Sequence, residues 1–239
     1  MDKQDFIRWA RQLSTGYQPA EEVRRRLANI DLLAVVGPTG AGKTTIIEKL
    51  NLPIVRSDVT RDRRKDEQEE NQYNFRYDYL DMIREIKRGN YVQFFISVYD
   101  EFYATHINSY PSQGRAVMAI TSSTISNFHR LPFRTFRTIY VMPPNYAVWM
   151  HRIGTNRADL LSRLAEARQS LKDALSDSDT YRFILNDTLD QAIADIRALL
   201  QNGSYNQHRA QLARDTADLL LQKLGDDTTA DNASRRDDI

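Results

Sequence analysis

Residues 37–45 read Gly-Pro-Thr-Gly-Ala-Gly-Lys-Thr-Thr. Gly37, four further residues and then Gly42-Lys43-Thr44 fit the G-x-x-x-x-G-K-[ST] pattern, directly after an apolar run and directly before a helix-like stretch. Each residue type has a physical job. Glycines let backbone N–H groups converge on phosphate oxygens without a Cβ in the way, Lys43 brings a point charge to the β- and γ-phosphates, and Thr44 offers a hydroxyl to Mg²⁺. The start of the following helix adds partial positive charge at the same spot. The loop as a whole, Gly37, Pro38, Thr39, Gly40, Ala41, Gly42, Lys43, Thr44 and Thr45, is therefore expected to hold the phosphates of ATP or GTP. It says nothing of what receives the transferred group.

A phosphate loop works only when a strand and a helix hold it. Asp31 to Val36 is a continuous apolar run, as expected of a strand buried on both faces. Further apolar runs fall at 91–98, 116–120, 138–142 and 181–185, and helix-like stretches at 78–88, 145–152, 158–175 and 188–201 lie between most of them. This alternation predicts an α/β fold, a P-loop parallel β-sheet covered by helices. Ahead of it, residues 1–30 form a helical extension in two pieces: Phe6, Trp9, Ala10 and Leu13 make one stripe, Gly16 to Pro19 breaks it, and Val23, Leu27 and Ile30 make another. Packing is the nearer reading of this extension, a partner surface the other. Beyond residue 201, residues 202–225 read as one more helix ending at Gly225, and residues 226–239 as a disordered tail with little to bury.

Composition removes several classes of function. Thirty-three basic against thirty-two acidic residues give a net charge of +1, so no global electrostatic pull toward nucleic acid or an anionic membrane is expected. With no cysteine, thiolate nucleophiles and Cys-based zinc sites are excluded. The four histidines are scattered and unpaired in spacing. No stretch approaches a membrane span, and residues 1–13 lack the apolar core of a signal peptide, so a cytoplasmic location is expected.

Residues 57–75, SDVTRDRRKDEQEENQYNF, read by composition alone as a charge run, usually a solvated loop, though their spacing suits a second anion site. Two guanidinium forks can grip a dianionic phosphate bidentately while hydroxyls fill its remaining oxygens. The stretch resembles the guanylate kinase signature S-x-T-T-R-x-P-R-x-G-E-x-x-G-x-x-Y-x-F, with Ser57, Thr60, Arg61, Arg64, Glu67, Tyr73 and Phe75 in register. The resemblance implies that Ser57, Arg61, Arg64 and Tyr73 clamp the acceptor's phosphate. Val59, Arg63, Asp66 and Glu70 depart from the signature. Gly89 to Gln93 is similar to the family's G-x-F-L-E, and Tyr103-Ala-Thr105 to its Y-G-[ST], making Tyr103 a fifth phosphate contact. Pro143-Pro144 through Arg152-Ile153 resembles the entry to the lid and Arg163-Leu164 its exit. Ile184 to Asp187 resembles the V-N-D that places Asn186 near the donor base. The likeness spans residues 31–201, with an acceptor-binding region at about 54–112 and a short lid at about 152–163. It implies ATP as donor, Mg²⁺ held with Thr44, and Arg152, Arg163 and Arg157 as the lid cations that stabilise the migrating phosphoryl group.

The base-reading positions differ from the family's. Guanine shows N1–H and N2–H₂ donors along one edge, which carboxylates accept. Here Gln93 replaces a Glu, and Ala119 and Thr121 stand where the family has two acids. Gln93, Thr105 and Thr121 are the implied base readers, and Asp100 or Glu101, beside a one-residue insertion, are candidates to swing in. Three readings stay open. One is a nucleoside monophosphate kinase with GMP or dGMP favoured but relaxed, or with another base preferred. The others are a sugar-phosphate kinase like the ribose 1,5-bisphosphate phosphokinases, and a non-catalytic guanylate-kinase-like binding module. The expected partners are ATP and a small phosphorylated acceptor, and the terminal helices offer surfaces for a protein partner or a second copy.

Overall fold

The computed structural model describes residues 1–63, 72–154, 157–177 and 179–234, with side chains described through residue 225 except at 157–159. Contacts divide the chain into two compact units, the first Met1–Leu33, Leu52–Met118 and Ser126–Phe136, the second the remainder.

The elements run α1 (Lys3–Ser14), α2 (Glu21–Leu27), β1 (Ile30–Val36), α3 (Lys43–Lys49), β2 (Ser57–Val59), β3 (Tyr73–Phe75), α4 (Tyr79–Lys87), β4 (Tyr91–Ile96) and β5 (Phe102–His106). They continue as β6 (Gly114–Ala119), α5 (Ile125–His129), β7 (Thr135–Met142), α6 (Tyr146–Ile153), α7 (Arg157–Ser176), β8 (Tyr181–Leu185), α8 (Leu189–Asn202) and α9 (Gln207–Ser234). One four-stranded sheet has the order β6-β1-β7-β8, and β7 and β8 lie parallel from Thr138 opposite Tyr181 to Met142 opposite Leu185. The expected α/β fold with a parallel sheet and flanking helices is what the chain adopts. β1 is buried at every position but Asp31, which fits a strand covered on both faces.

In the first unit a second sheet has the order β3-β2-β5-β4. β2 runs parallel to β3 and antiparallel to β5, and β4 pairs antiparallel with β5. Alternation along β4 and β5 sends Phe94, Phe102 and Ala104 to one face, where they join Phe6, Ile7 and Ala10 of α1 and Met82, Ile83 and Ile86 of α4 in one core. The N-terminal extension is therefore a packing element of this sheet. Asp2 caps α1, its side chain accepting from the amide of Asp5 at 2.8 Å. The break after α1 has its own anchor, because the Tyr17 hydroxyl donates to the carbonyl of Tyr91 at 2.6 Å.

The expected helix end at Gly225 and disordered tail from 226 are corrected by α9, which continues to Ser234. A single glycine costs a helix only about 1 kcal/mol, and no proline follows it.

Candidate active site

In the second unit the phosphate loop joins β1 to α3. Its carbonyls are held from outside. The Lys43 Nζ donates to the carbonyls of Gly37 (2.7 Å) and Pro38 (2.9 Å), the Trp149 indole to that of Thr39 (2.8 Å), and the Asn186 amide to that of Ala41 (2.8 Å). Four carbonyls fixed this way commit the peptide planes, and the N–H groups that open α3 have no partner within the helix. Gly37 and Gly42 are required as glycines: both have positive φ, and a Cβ would come within 2.4 Å of the Val141 carbonyl oxygen at the first and 2.3 Å of Asn186 Nδ2 at the second. Thr44 and Thr45 are exposed on the first turn of α3.

Burial pushes the Lys43 ammonium down to about 8, with the Glu166 carboxylate opposing. Anionic oxygens arriving in the loop favour the charged form again, so a polyphosphate and the protonated lysine stabilise each other.

Asn186 is buried, its amide turned toward the loop backbone. The next residue, Asp187, accepts both arms of the Arg209 fork (3.0 and 2.7 Å), which holds its carboxyl down at about 2. An Asp depressed in the folded state contributes stability that is present above the ordinary carboxylate range near 4 and is lost as pH falls through about 2. Denaturant midpoints measured from pH 5 to pH 2 should fall for the native chain, and Asp187→Asn should show a shallower fall over that window. Parallel curves would mean that the pair contributes nothing.

The residues expected to form the lid lie on α6 and α7. Arg152 is exposed in the last turn of α6, and Arg163 Nη1 sits 3.5 Å from the carbonyl of Ile153. Ile153 Cγ1 lies 3.0 Å from where a Cβ on Gly40 would stand, so the end of α6 rests on the phosphate loop. Arg157 opens α7, and its side chain falls outside the described residues. Thr121 also belongs to this unit and starts a 3-10 turn, with its hydroxyl 3.2 Å from Thr124 Oγ1. Trp149 was not legible as a loop anchor. A tryptophan on an amphipathic helix reads as core, and only its indole N–H reveals a second role.

In the first unit the acceptor residues gather on the face of the second sheet opposite α1. Ser57 stands opposite Tyr73 in the β2–β3 ladder, Val59 opposite Tyr103, and Gln93 opposite Thr105. The guanidinium of Arg61, 8% exposed, lies 4.7 Å from the centre of the Tyr73 ring. Arg63, a departure from the family signature, lies 5.1 Å over Phe75. Tyr103 stacks on Phe95 at 5.2 Å. Ser57, Arg61, Tyr73 and Tyr103 thus belong to one small sheet and its edge loop, while Arg64 lies outside the described residues. Among the base-reading positions, Thr105 is fully buried and its Oγ1 accepts from the Tyr110 hydroxyl at 3.0 Å. The Oε1 of Gln93 is buried with no hydrogen-bond partner among the described residues.

Asp100 and Glu101, the candidates to swing in, are both paired. Glu101 accepts from Lys3 Nζ at 2.7 Å and from Thr60 Oγ1 at 2.9 Å, and Asp100 pairs with Arg11, so both are committed to α1 or to the edge of β2.

A glycine-rich loop between strand and helix, in a parallel sheet flanked by helices, is the frame of a P-loop phosphotransferase. The guanylate kinase family model matches residues 30–203, and the chain belongs to that family. It is 28% identical to the guanylate kinase of Dechloromonas aromatica over 77% of this chain and 95% of that one. The guanylate kinase of Thermotoga maritima is 27% identical, over 72% and 86%, and that of Nitrosospira multiformis 25%, over 71% and 84%. The crystal structure of guanylate kinase from Anaplasma phagocytophilum shares the fold, with a TM-score of 0.52 and 21% identity over 75% of this chain and 88% of that one. The chain is accordingly a kinase that carries out phosphoryl transfer to a nucleoside monophosphate.

Proposed function

We propose that this chain transfers the γ-phosphoryl group of ATP to GMP. The observation that supports the choice of base is the buried Gln93 Oε1, which has no partner among the described residues. A buried acceptor without a partner calls for a donor, and guanine brings N1–H and N2–H₂ along one edge. Adenine would set an N1 lone pair against Gln93 Oε1.

The donor polyphosphate is read by backbone N–H groups of residues 39–45 and by Lys43, and the acceptor phosphate by Ser57, Arg61, Arg64, Tyr73 and Tyr103, all assigned by the family signature. Mg²⁺ fits the donors present only in part. Thr44 offers an exposed hydroxyl, and no group of three acidic or His side chains placed to hold a metal occurs among the described residues. Phosphate oxygens and waters complete the shell, as Mg²⁺ usually accepts. When bound, the ion neutralises charge on the β- and γ-phosphates. Arg152 and Arg163 stabilise the negative charge spread over the migrating group. No general base is required, since the attacking phosphate oxygen is already anionic near neutral pH.

Initial rates of ADP release from Mg-ATP, with GMP, dGMP, AMP, CMP, UMP and ribose 1,5-bisphosphate as acceptors, test this directly. GMP is expected to give the highest kcat/KM, and Gln93→Leu should lower that value roughly 10²-fold by leaving guanine's donors unmatched. Turnover of the sugar phosphate with all nucleotides silent would overturn the assignment.

A further inference from the structure

Helix α9 begins beyond the residues that the family model matches, yet its first turn reaches the neighbourhood of the phosphate loop. Arg209 places Nε on Asp195 of α8 (2.7 Å), both terminal nitrogens on Asp187, and Nη2 also on the carbonyl of Leu185 (3.1 Å). Its side chain is 17% exposed. The residues it grips flank Asn186 on both sides, and Asn186 is the residue whose amide holds the Ala41 carbonyl and lies against Gly42. The Asn186 backbone is tied in addition to Met142 of β7 at 2.8 Å.

We propose that Arg209 is a positioning residue for the donor nucleotide: by clamping the 185–187 turn it fixes Asn186, and through Asn186 the orientation of the Ala41–Gly42 peptide in the phosphate loop. A guanidinium suits the task because its planar fork meets a carboxylate bidentately and still spares nitrogens for a carbonyl and a second carboxylate. With the clamp gone, Asp187 loses its counter-charge and the Leu185 carbonyl its donor. The turn then acquires other arrangements, and the loop amides lose their common aim. Such a loss falls on the donor and spares the acceptor, whose phosphate contacts belong to the other unit.

The inference rests on reading residues 37–45 as the donor-phosphate loop, and the experiment separates the two. ADP dissociation constants from calorimetry, with KM values for ATP and for GMP, are measured on the native chain, Arg209→Met and Asp187→Asn, with thermal melts alongside. Both variants are expected to weaken ADP binding and raise the ATP KM by roughly tenfold, the scale of a residue acting through one intervening group, with the GMP KM within about twofold of native. Arg209→Lys, which restores the charge without the fork, should recover only part of the loss. Native-like ADP affinity in a folded Arg209→Met overturns the proposal, as does an equal rise in both KM values. If Arg209→Met does not fold, Asp187→Asn decides by the same criteria. Failure of the native chain to bind ADP overturns the donor-loop reading itself.

Discussion

Replacing Lys43 with methionine should lower kcat by roughly 10³-fold or more at saturating substrates, the scale on which a single preorganised charge donor contributes to a transition state. The fold should survive, and its melting temperature should hold or rise. The reason lies in the environment of the ammonium. It is enclosed by the loop, bonded to the carbonyls of Gly37 and Pro38, and depressed to about 8 by burial. A group whose charged form is disfavoured by its surroundings is held there at a cost to stability, and methionine removes that cost while keeping the length of the stem. Activity and stability should therefore move apart. A steady-state assay and a thermal melt on the same preparation check both, and kcat within tenfold of native would remove Lys43 from the transfer step.

Arg61→Ala should act on the other substrate. Two charge-assisted hydrogen bonds at roughly 1.5–3 kcal/mol each predict a fall in kcat/KM for the acceptor of about 10²-fold to 10⁴-fold, with the ATP KM unchanged. Arg61→Lys should recover little. A lysine supplies a point charge but no fork, and the planar stacking of the guanidinium 4.7 Å from the Tyr73 ring is lost with it. An unchanged acceptor KM in Arg61→Ala would place the phosphate elsewhere. So would a variant in which both substrates weaken together.

The parts of this molecule that could be read from its sequence are those with long, uniform burial or a fixed motif. β1 reads as a continuous apolar run because both its faces are covered, and the phosphate loop reads by its glycines, which no other residue replaces at Gly37 and Gly42. In the second sheet β4 read as a strand, within the apolar run at 91–98, and β2, β3 and β5 did not. β2 and β3 are three residues each, Ser-Asp-Val and Tyr-Asn-Phe, too short for any period to register. β5 hides its alternation behind Ala104 and His106. The acceptor residues are assigned by signature spacing, and the structure adds what spacing does not carry: Gln93 opposite Thr105, and Tyr110 occupying the Thr105 oxygen. The pairing of Asp100 and Glu101 was not legible because their partners, Lys3, Arg11 and Thr60, are distant in sequence. Arg209 escaped for the same reason, since its meaning depends on a turn more than twenty residues earlier.

The seating of α1 on the second sheet has a consequence for how the chain matures. Phe6, Ile7 and Ala10 are made early in synthesis, and their counterparts Phe94 and Phe102 come only after β1, the phosphate loop and α4 have been polymerised. Closing so wide a loop taxes the rate of assembly far more than the final stability. Until Phe102 arrives the amphipathic helix has no seat, and the nascent polypeptide carries a greasy flank that chaperones are built to shield. The sheet that carries the acceptor residues can still close before Trp149, Asn186 and Arg209 of the other unit have been made.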